Sequence, residues 1–276
     1  MRGRRGSDNR NADIPQQASD MCNTACTNKL GSGTSSRDRG NMPNHEVHLR
    51  FHGPFKLCGH EGRILFDEEK AKLAGIYLWT VRFRDGFLIN YVGETGVSFY
   101  KRMKEHTIQC MGGNYRICDP EWLRKGEKRI LWNGMWRKGT RNLMQVFADK
   151  YVELAPVIKE YLETLDIFIA PIQTNKRIRQ RIEGAIAFSL REQPPPVGSF
   201  VSEDVRYFCR NEKETPVQVV IDSDERLFGL NSKYFLYLLM ISSSDNAGYF
   251  FRIMSFSSKS SGIRVLSASP KRSRAL

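Results

Sequence analysis

The chain is poor in cysteine, in long apolar runs and in acidic residues relative to basic ones, and each shortage excludes something. Six cysteines in 276 residues (Cys22, Cys26, Cys58, Cys110, Cys118 and Cys209) show no regular disulfide framework. A disulfide-stapled secreted domain is therefore not expected, and a reducing, cytoplasmic setting is. Cys22 and Cys26 have CxxxC spacing, but the next candidates, Cys58 and His60, lie too far off for a zinc finger. Nowhere do enough apolar residues follow one another to cross a bilayer; the longest run is Tyr234 to Ile241. The N-terminus is basic without an apolar segment behind it, so neither a secretory signal nor a membrane partner is expected. Against 43 Lys and Arg there are only 30 Asp and Glu, a net charge of +13. Such a surface draws polyanions, because each phosphate neutralised releases condensed counterions.

The length allows one sizeable core or two small ones, and the patterning favours one core with tails. Residues 1–45 are rich in Arg, Asn, Asp, Ser and Gly, and carry too little apolar surface to offset their ordering entropy, so a disordered tail is expected. A folded domain is expected over 46–225, with an insertion at about 111–165, and a basic C-terminal extension over 226–276. From Ala247 to Leu276 there are six Lys or Arg and no acid.

Within the domain, GIYLWTVRF (Gly75 to Phe83) and FLINYVG (Phe87 to Gly93) are dense in β-branched and aromatic residues around Arg84, Asp85 and Gly86. They read as a β-hairpin, with Asp-Gly supplying the positive φ its turn requires. Ser98 is the expected N-cap of a helix whose inner face is read as Phe99, Met103, Ile108 and Cys110, with Arg102 and His106 four residues apart on one flank. A helix from about Asn142 to Leu165 meets Pro156, which should kink or divide it or open a second helix. DIFIAPI (Asp166 to Ile172) reads as a buried strand. A further helix from about Thr174 repeats Ile178, Ile182, Ile186 and Leu190, carries Glu183, and stops at Pro194 to Pro196.

Tyr77, Tyr91, Arg102, His106 and Glu183 supply the groups a phosphodiester hydrolase needs. Tyr91 lies fourteen residues after Tyr77, and Arg102 and His106 lie eleven and fifteen further on. GIY, YVG, R-x-x-x-H on the next helix and a later helical Glu together resemble the GIY-YIG nuclease superfamily, with Val92 for the usual Ile, and the Arg-His spacing is most similar to restriction-type members. The resemblance covers roughly Gly75 to Gln193. It implies an α+β fold, a small three-stranded antiparallel sheet flanked by helices, here with a helical insertion and disordered basic tails. It also implies a divalent cation, Mg²⁺ with Mn²⁺ able to substitute, held by Glu183, and double-stranded DNA as substrate in restriction or repair. Cutting both strands would call for a homodimer. In the family the first tyrosine is proposed to take the proton of the attacking water, and the second to bind the phosphate or share that duty. One departure is that some restriction-type relatives carry an Asn after the helical Glu, where PPPVGSF here offers only Ser199.

Each residue also has a plainer reading. Glu183 beside Arg179 would be a surface i,i+4 pair worth about 0.3–0.5 kcal/mol. Arg102 alone is a solvated helix arginine, although its planar fork fits phosphate. Tyr77 and Tyr91 could simply pack a small sheet, since a phenol is a base near neutrality only if a cation lowers its pKa by about three units, roughly 4 kcal/mol. His106 reads either as an orienting or proton-relaying partner of Tyr77 or as a polar surface group. Lys101, Lys104, Lys176, Arg177, Arg179 and Arg181 are candidate phosphate contacts or merely solubilising charges. Trp122, Trp132 and Trp136 suit base stacking or a satellite core. The functional alternative to a nuclease is a catalytically inactive GIY-YIG-like module that only binds DNA or protein.

Overall fold

The computed structural model describes residues 45–136, 143–202, 217–235, 239–241, 250–252, 254–255 and 264–265. The expected N-terminal tail, Cys22, Cys26 and Cys209 lie outside them. The strands are β1 (His45–Phe55), β2 (Gly75–Phe83), β3 (Gly86–Thr95), β4 (Ile117–Cys118), β5 (Ile130–Trp132), β6 (Leu165–Pro171), β7 (Val217–Ser223), β8 (Leu227–Phe228) and β9 (Lys233–Phe235). Four short ones follow: β10 (Leu239–Ile241), β11 (Phe250–Arg252), β12 (Met254–Ser255) and β13 (Arg264–Val265). The helices are α1 (Phe99–Met111), α2 (Pro120–Arg124), α3 (Leu143–Thr164), α4 (Lys176–Arg191) and α5 (Val197–Phe200). No helix among the described residues is long and apolar enough to cross a membrane.

The fold is α+β, as expected, but its sheet is much larger than three strands. The body of the sheet runs β9-β7-β1-β6-β2-β3-β8, and the two-residue β12 and β13 continue it past β9. The antiparallel trio β6-β2-β3 is embedded in it, with Tyr77 opposite Ile169 on one side and Gly93 on the other. The correction has a physical cause. Six consecutive residues of β6 are buried, so its far edge could not be left open to water and is closed by β1, which β7 then pairs in parallel. Pairing also runs past residue 226, since β8 joins β3 and β9 joins β7.

Helices cover both faces. On one, Tyr77, Trp79, Val81, Ile167 and Ile169 meet Phe99, Met103 and Cys110 of α1 and Leu154, Ile158, Tyr161 and Leu162 of α3. On the other, Ile76, Leu78, Val92 and Phe168 meet Ile182, Ile186 and Leu190 of α4. Burial of each such side chain contributes about 1.5–3 kcal/mol. Along α1 the buried stripe is Phe99, Met103, His106 and Cys110; Ile108, expected inside, is 55% exposed. Pro156 does not divide α3, which is one 22-residue helix. The apolar stripe continues on both sides of it, and that packing outweighs the roughly 3 kcal/mol an interior proline costs. The hairpin forms where expected, but the positive φ of its turn falls on Arg84 (φ 51) rather than on Gly86. The insertion is only partly helical, holding the β4-β5 ladder as well as α2 and α3.

Gly75 opens β2 where a Cβ would lie 2.1 Å from the Ala170 carbonyl oxygen, on the backbone that pairs with it. Gly75→Ala is therefore expected to lower the unfolding free energy by about 1–3 kcal/mol. The measurement is urea denaturation, where the midpoint falls and the slope stays unchanged.

Candidate active site

Cross-strand register places the two motif tyrosines on one face. Tyr77 pairs with Gly93 and Trp79 with Tyr91, so the rings of Tyr77 and Tyr91 lie with centroids 6.1 Å apart. Gly93 is required by this packing, since a Cβ there would lie 2.2 Å from Cζ of Tyr77. Its role is to leave room for a phenol rather than to make a turn. Ser98 caps α1 as expected, accepting from the Lys101 N–H at 3.2 Å, and so starts the helix at the phase that aims Arg102 and His106 at the tyrosines.

The Tyr77 hydroxyl, fully buried, lies 2.9 Å from Nε2 of His106, and Nδ1 of the same ring lies 3.0 Å from the hydroxyl of half-buried Tyr115. Burial, reinforced by the Arg102 charge, pushes the His106 pKa down to about 3. The ring is thus a neutral imidazole with one N–H and one lone pair, and it bridges the two phenols by donating to one and accepting from the other. Trp79 closes it in at 5.2 Å between centroids and donates its indole N–H to the Met103 sulfur at 3.3 Å.

The electrostatics of Tyr77 in the metal-free protein do not lower its pKa. Burial and the neighbouring Tyr91 raise its pKa well above 10, and Arg102, which hydrogen-bonds it and favours the phenolate, does not compensate. Tyr91 is likewise pushed up to about 12, first by burial and then by the Glu183 charge. Both residues are phenols, not phenolates, in the free protein.

Glu183 comes from the other side. Asn175 caps α4 by accepting from the Ile178 N–H at 2.9 Å, and α4 packs on the face opposite Tyr77. The carboxylate nonetheless lies near enough for its charge to act on Tyr91, Tyr77 and Arg102. It does so at the half of β3 beyond Leu88, where β8 no longer pairs. Burial and the neighbouring Glu94 raise the Glu183 pKa to about 7, against a hydrogen bond from the Glu94 backbone and the Arg102 charge. The structure therefore brings Tyr77, Tyr91, Arg102 and His106 together from β2, β3 and α1, while Glu183 stands on α4, across the sheet, within range of the charge on Arg102.

Glu183 is a plausible donor for Mg²⁺, which takes one or two carboxylates and fills its remaining positions with phosphate oxygens and waters. A carboxyl poised near pH 7 would be held ionised by such a cation. Among the described residues no group of three or more His, Cys, Asp or Glu could hold a metal.

The six basic candidates divide. Lys101 and Lys104 on α1 and Lys176 on α4 are exposed, and Arg177 is half-buried. Arg179 and Arg181 are 8% and 5% exposed, which removes them from the surface the sequence suggested for them. Arg179 does not pair with Glu183 along the helix. Its Nε donates to Glu94 at 2.9 Å and its Nη1 to the Thr174 carbonyl, tying α4 to β3. Ser199, the residue left where some relatives carry Asn, is exposed and bonded to the Pro196 carbonyl.

The three insertion tryptophans separate as well. Trp132 is buried and donates to the Gly113 carbonyl at 2.6 Å, as a satellite core residue would. Trp122 lies under Lys125, whereas Trp136 is 62% exposed against Tyr115. Beside the tyrosines opens a cleft of about 610 Å³ bounded by Tyr91, Arg102, His106 and the insertion. Tyr115, Arg116 and Asn114 belong to it and carried no spacing signal, because an insertion has no fixed register to the motif around it.

Comparison of the chain with protein-family models, with curated proteins and with solved structures found no match in any of the three.

A carboxyl whose pKa rises from 4.5 to about 7 on folding binds its proton more tightly in the native state. Stability should therefore fall as pH rises from about 4.5 to about 7, and the full cost should be present above that window. At 1.36 kcal/mol per unit the ceiling is about 3 kcal/mol. Without metal at pH 8, Glu183→Gln is expected to be more stable than the parent by about 1–3 kcal/mol, with the advantage vanishing near pH 4. Thermal melts at the two pH values check this.

Proposed function

We propose that the chain is a divalent-metal-dependent endonuclease that hydrolyses DNA phosphodiester bonds, a reading that takes up its resemblance to the GIY-YIG superfamily. The single observation that carries it is the convergence of Tyr77, Tyr91, Arg102 and His106 with the charge of Glu183. A sheet that only needed packing would have no reason to gather two phenols, a guanidinium and an imidazole at one place.

In this reading Arg102, permanently charged and half-exposed, binds the non-bridging oxygens of the scissile phosphate and offsets the charge that builds there. The Tyr91 hydroxyl donates to the same phosphate. Tyr77 receives a proton from the attacking water as it passes its own to Nε2 of His106, so no phenolate forms and the high pKa of Tyr77 is no obstacle. The imidazole stays neutral by releasing its Nδ1 proton to Tyr115, which returns one to solvent. Water oxygen bonds to phosphorus, the bond to the leaving oxygen breaks, and the leaving oxyanion takes a proton from solvent. Glu183 would hold the divalent cation, which when bound would supply Lewis-acid stabilisation of the developing charge. Exposed Lys101, Lys104 and Lys176 add contacts that position the DNA without reading it.

A second reading, a module that binds DNA without cutting, is favoured by the complete burial of Tyr77. Nicking of supercoiled plasmid in Mg²⁺ or Mn²⁺ separates the two. Wild type is expected to nick, Glu183→Ala to be inactive, and Tyr77→Phe to lose about 10²-fold or more. At limiting Mg²⁺ the rate should climb with pH up to about 7, because proton and cation compete for Glu183, and saturating Mg²⁺ should move that rise to lower pH. Equal trace cleavage by wild type and Glu183→Ala sinks the nuclease reading and leaves the binding module.

Arg102→Lys tests the phosphate contact separately, because an ammonium cannot reproduce the planar fork. A fall of about 10²-fold or more in rate with intact DNA binding is expected. A rate within threefold of wild type would remove Arg102 from the site.

A further inference from the structure

The cleft beside the tyrosines extends well past the residues that the chemistry uses. Among the described residues its lining carries three cations, Arg102, Arg116 and Lys128, and no carboxylate. Asn133, Tyr115, Trp136 and Asn114, whose amide nitrogen also donates to Gln109, line it too. Its volume of about 610 Å³ falls in the range that encloses small ligands, about 300–1,000 Å³, and is more than a single phosphate needs. Trp136 is the feature packing does not account for. It is 62% exposed, edge-on to Tyr115 at 5.2 Å, and Tyr115 in turn touches His106. An aromatic series thus leads from the buried Tyr77 to an open indole face.

We propose that this cleft receives one unstacked nucleotide adjoining the scissile phosphate. The base stacks on Trp136, the amides of Asn114 and Asn133 meet its edge, and Arg116 and Lys128 hold the phosphate on its far side while Arg102 holds the scissile one. Enzymes that take a nucleotide out of the stack meet the cost of unpairing least where the base is already unpaired. The preferred substrate is therefore DNA with an extrahelical or unpaired nucleotide rather than a continuous duplex. The proposal rests on the nuclease reading for the identity of the ligand as DNA, but its binding step needs neither metal nor Glu183.

The test measures equilibrium binding of the Glu183→Gln protein, in chelator, to a fully paired duplex and to the same duplex with one bulged nucleotide. Fluorescence anisotropy is expected to give at least about tenfold tighter binding to the bulged duplex, the scale of one base-aromatic stack. Trp136→Ala and Arg116→Ala, both at exposed positions, should each abolish most of that preference, and Trp136→Phe should restore part of it. Equal affinity for the two duplexes, or a preference that survives Trp136→Ala, overturns the proposal. Wild-type cleavage in Mg²⁺ is scored in parallel. Cleavage without a bulge preference removes the pocket and keeps the nuclease, whereas a Trp136-dependent preference without cleavage removes the nuclease and keeps the pocket.

Discussion

The hydrogen bond between the Tyr77 hydroxyl and Nε2 of His106, closed off from water, is the constraint on which the site depends. A buried phenol must have a partner, since an unmade hydrogen bond there would cost about 1–3 kcal/mol. That partner must itself be satisfied, which brings in Tyr115 on the other ring nitrogen. The bond in turn dictates sequence on three elements. Gly93 must lack a side chain to admit the phenol, His106 must fall on the inner face of α1, and Ser98 must start α1 at the right phase. One polar contact thus explains why the glycine of YVG and the histidine of R-x-x-x-H belong together.

Charge is balanced at the margin of β3 rather than within the aromatic group. Burial, and then the neighbouring Glu94, raise the pKa of Glu183, whereas Glu94 is paired with Arg179. In the nuclease reading proposed above, a buried arginine that pairs with Glu94 would leave Glu183 as the carboxylate that attracts a cation. Burial of this carboxyl, with Glu94 beside it, lowers stability in the free protein; if the proposed divalent ion binds there it would relieve that cost, and binding and folding would be coupled through the same carboxyl.

What was legible in the sequence was local. The hairpin, the Ser98 cap and the apolar period of α4 each depend on residues within a few positions, and the structure has them where pattern placed them. What was not legible depended on partners far along the chain. The pairing of β1 with β7 joins residues more than 170 apart, and no pattern in either strand names the other. Arg179 and Arg181 read as surface charge because nothing around them in sequence reveals that Glu94, on a different element, awaits Arg179. Ile108 and His106 exchanged places for a similar reason. A helix face read by hydropathy prefers the isoleucine, whereas the buried phenol of Tyr77 requires the histidine.

The extra strands also bear on what the site can do. A three-stranded sheet would leave β6 at an edge, and the position of β2 beside it would depend on α1 and α4 alone. With β1 and β7 beyond it, β6 is an interior strand, and β2 is held on both sides by long antiparallel ladders. The motif tyrosines therefore stand on a rigid platform, while the insertion, which shapes the cleft, is tied by the short β4-β5 ladder and by packing against α3. In the nuclease reading proposed above, chemistry would lie on the stiff part and recognition on the more loosely braced part, the division expected of a scaffold whose reacting groups tolerate little displacement, since a 1 Å misplacement can cost about 10²-fold in rate.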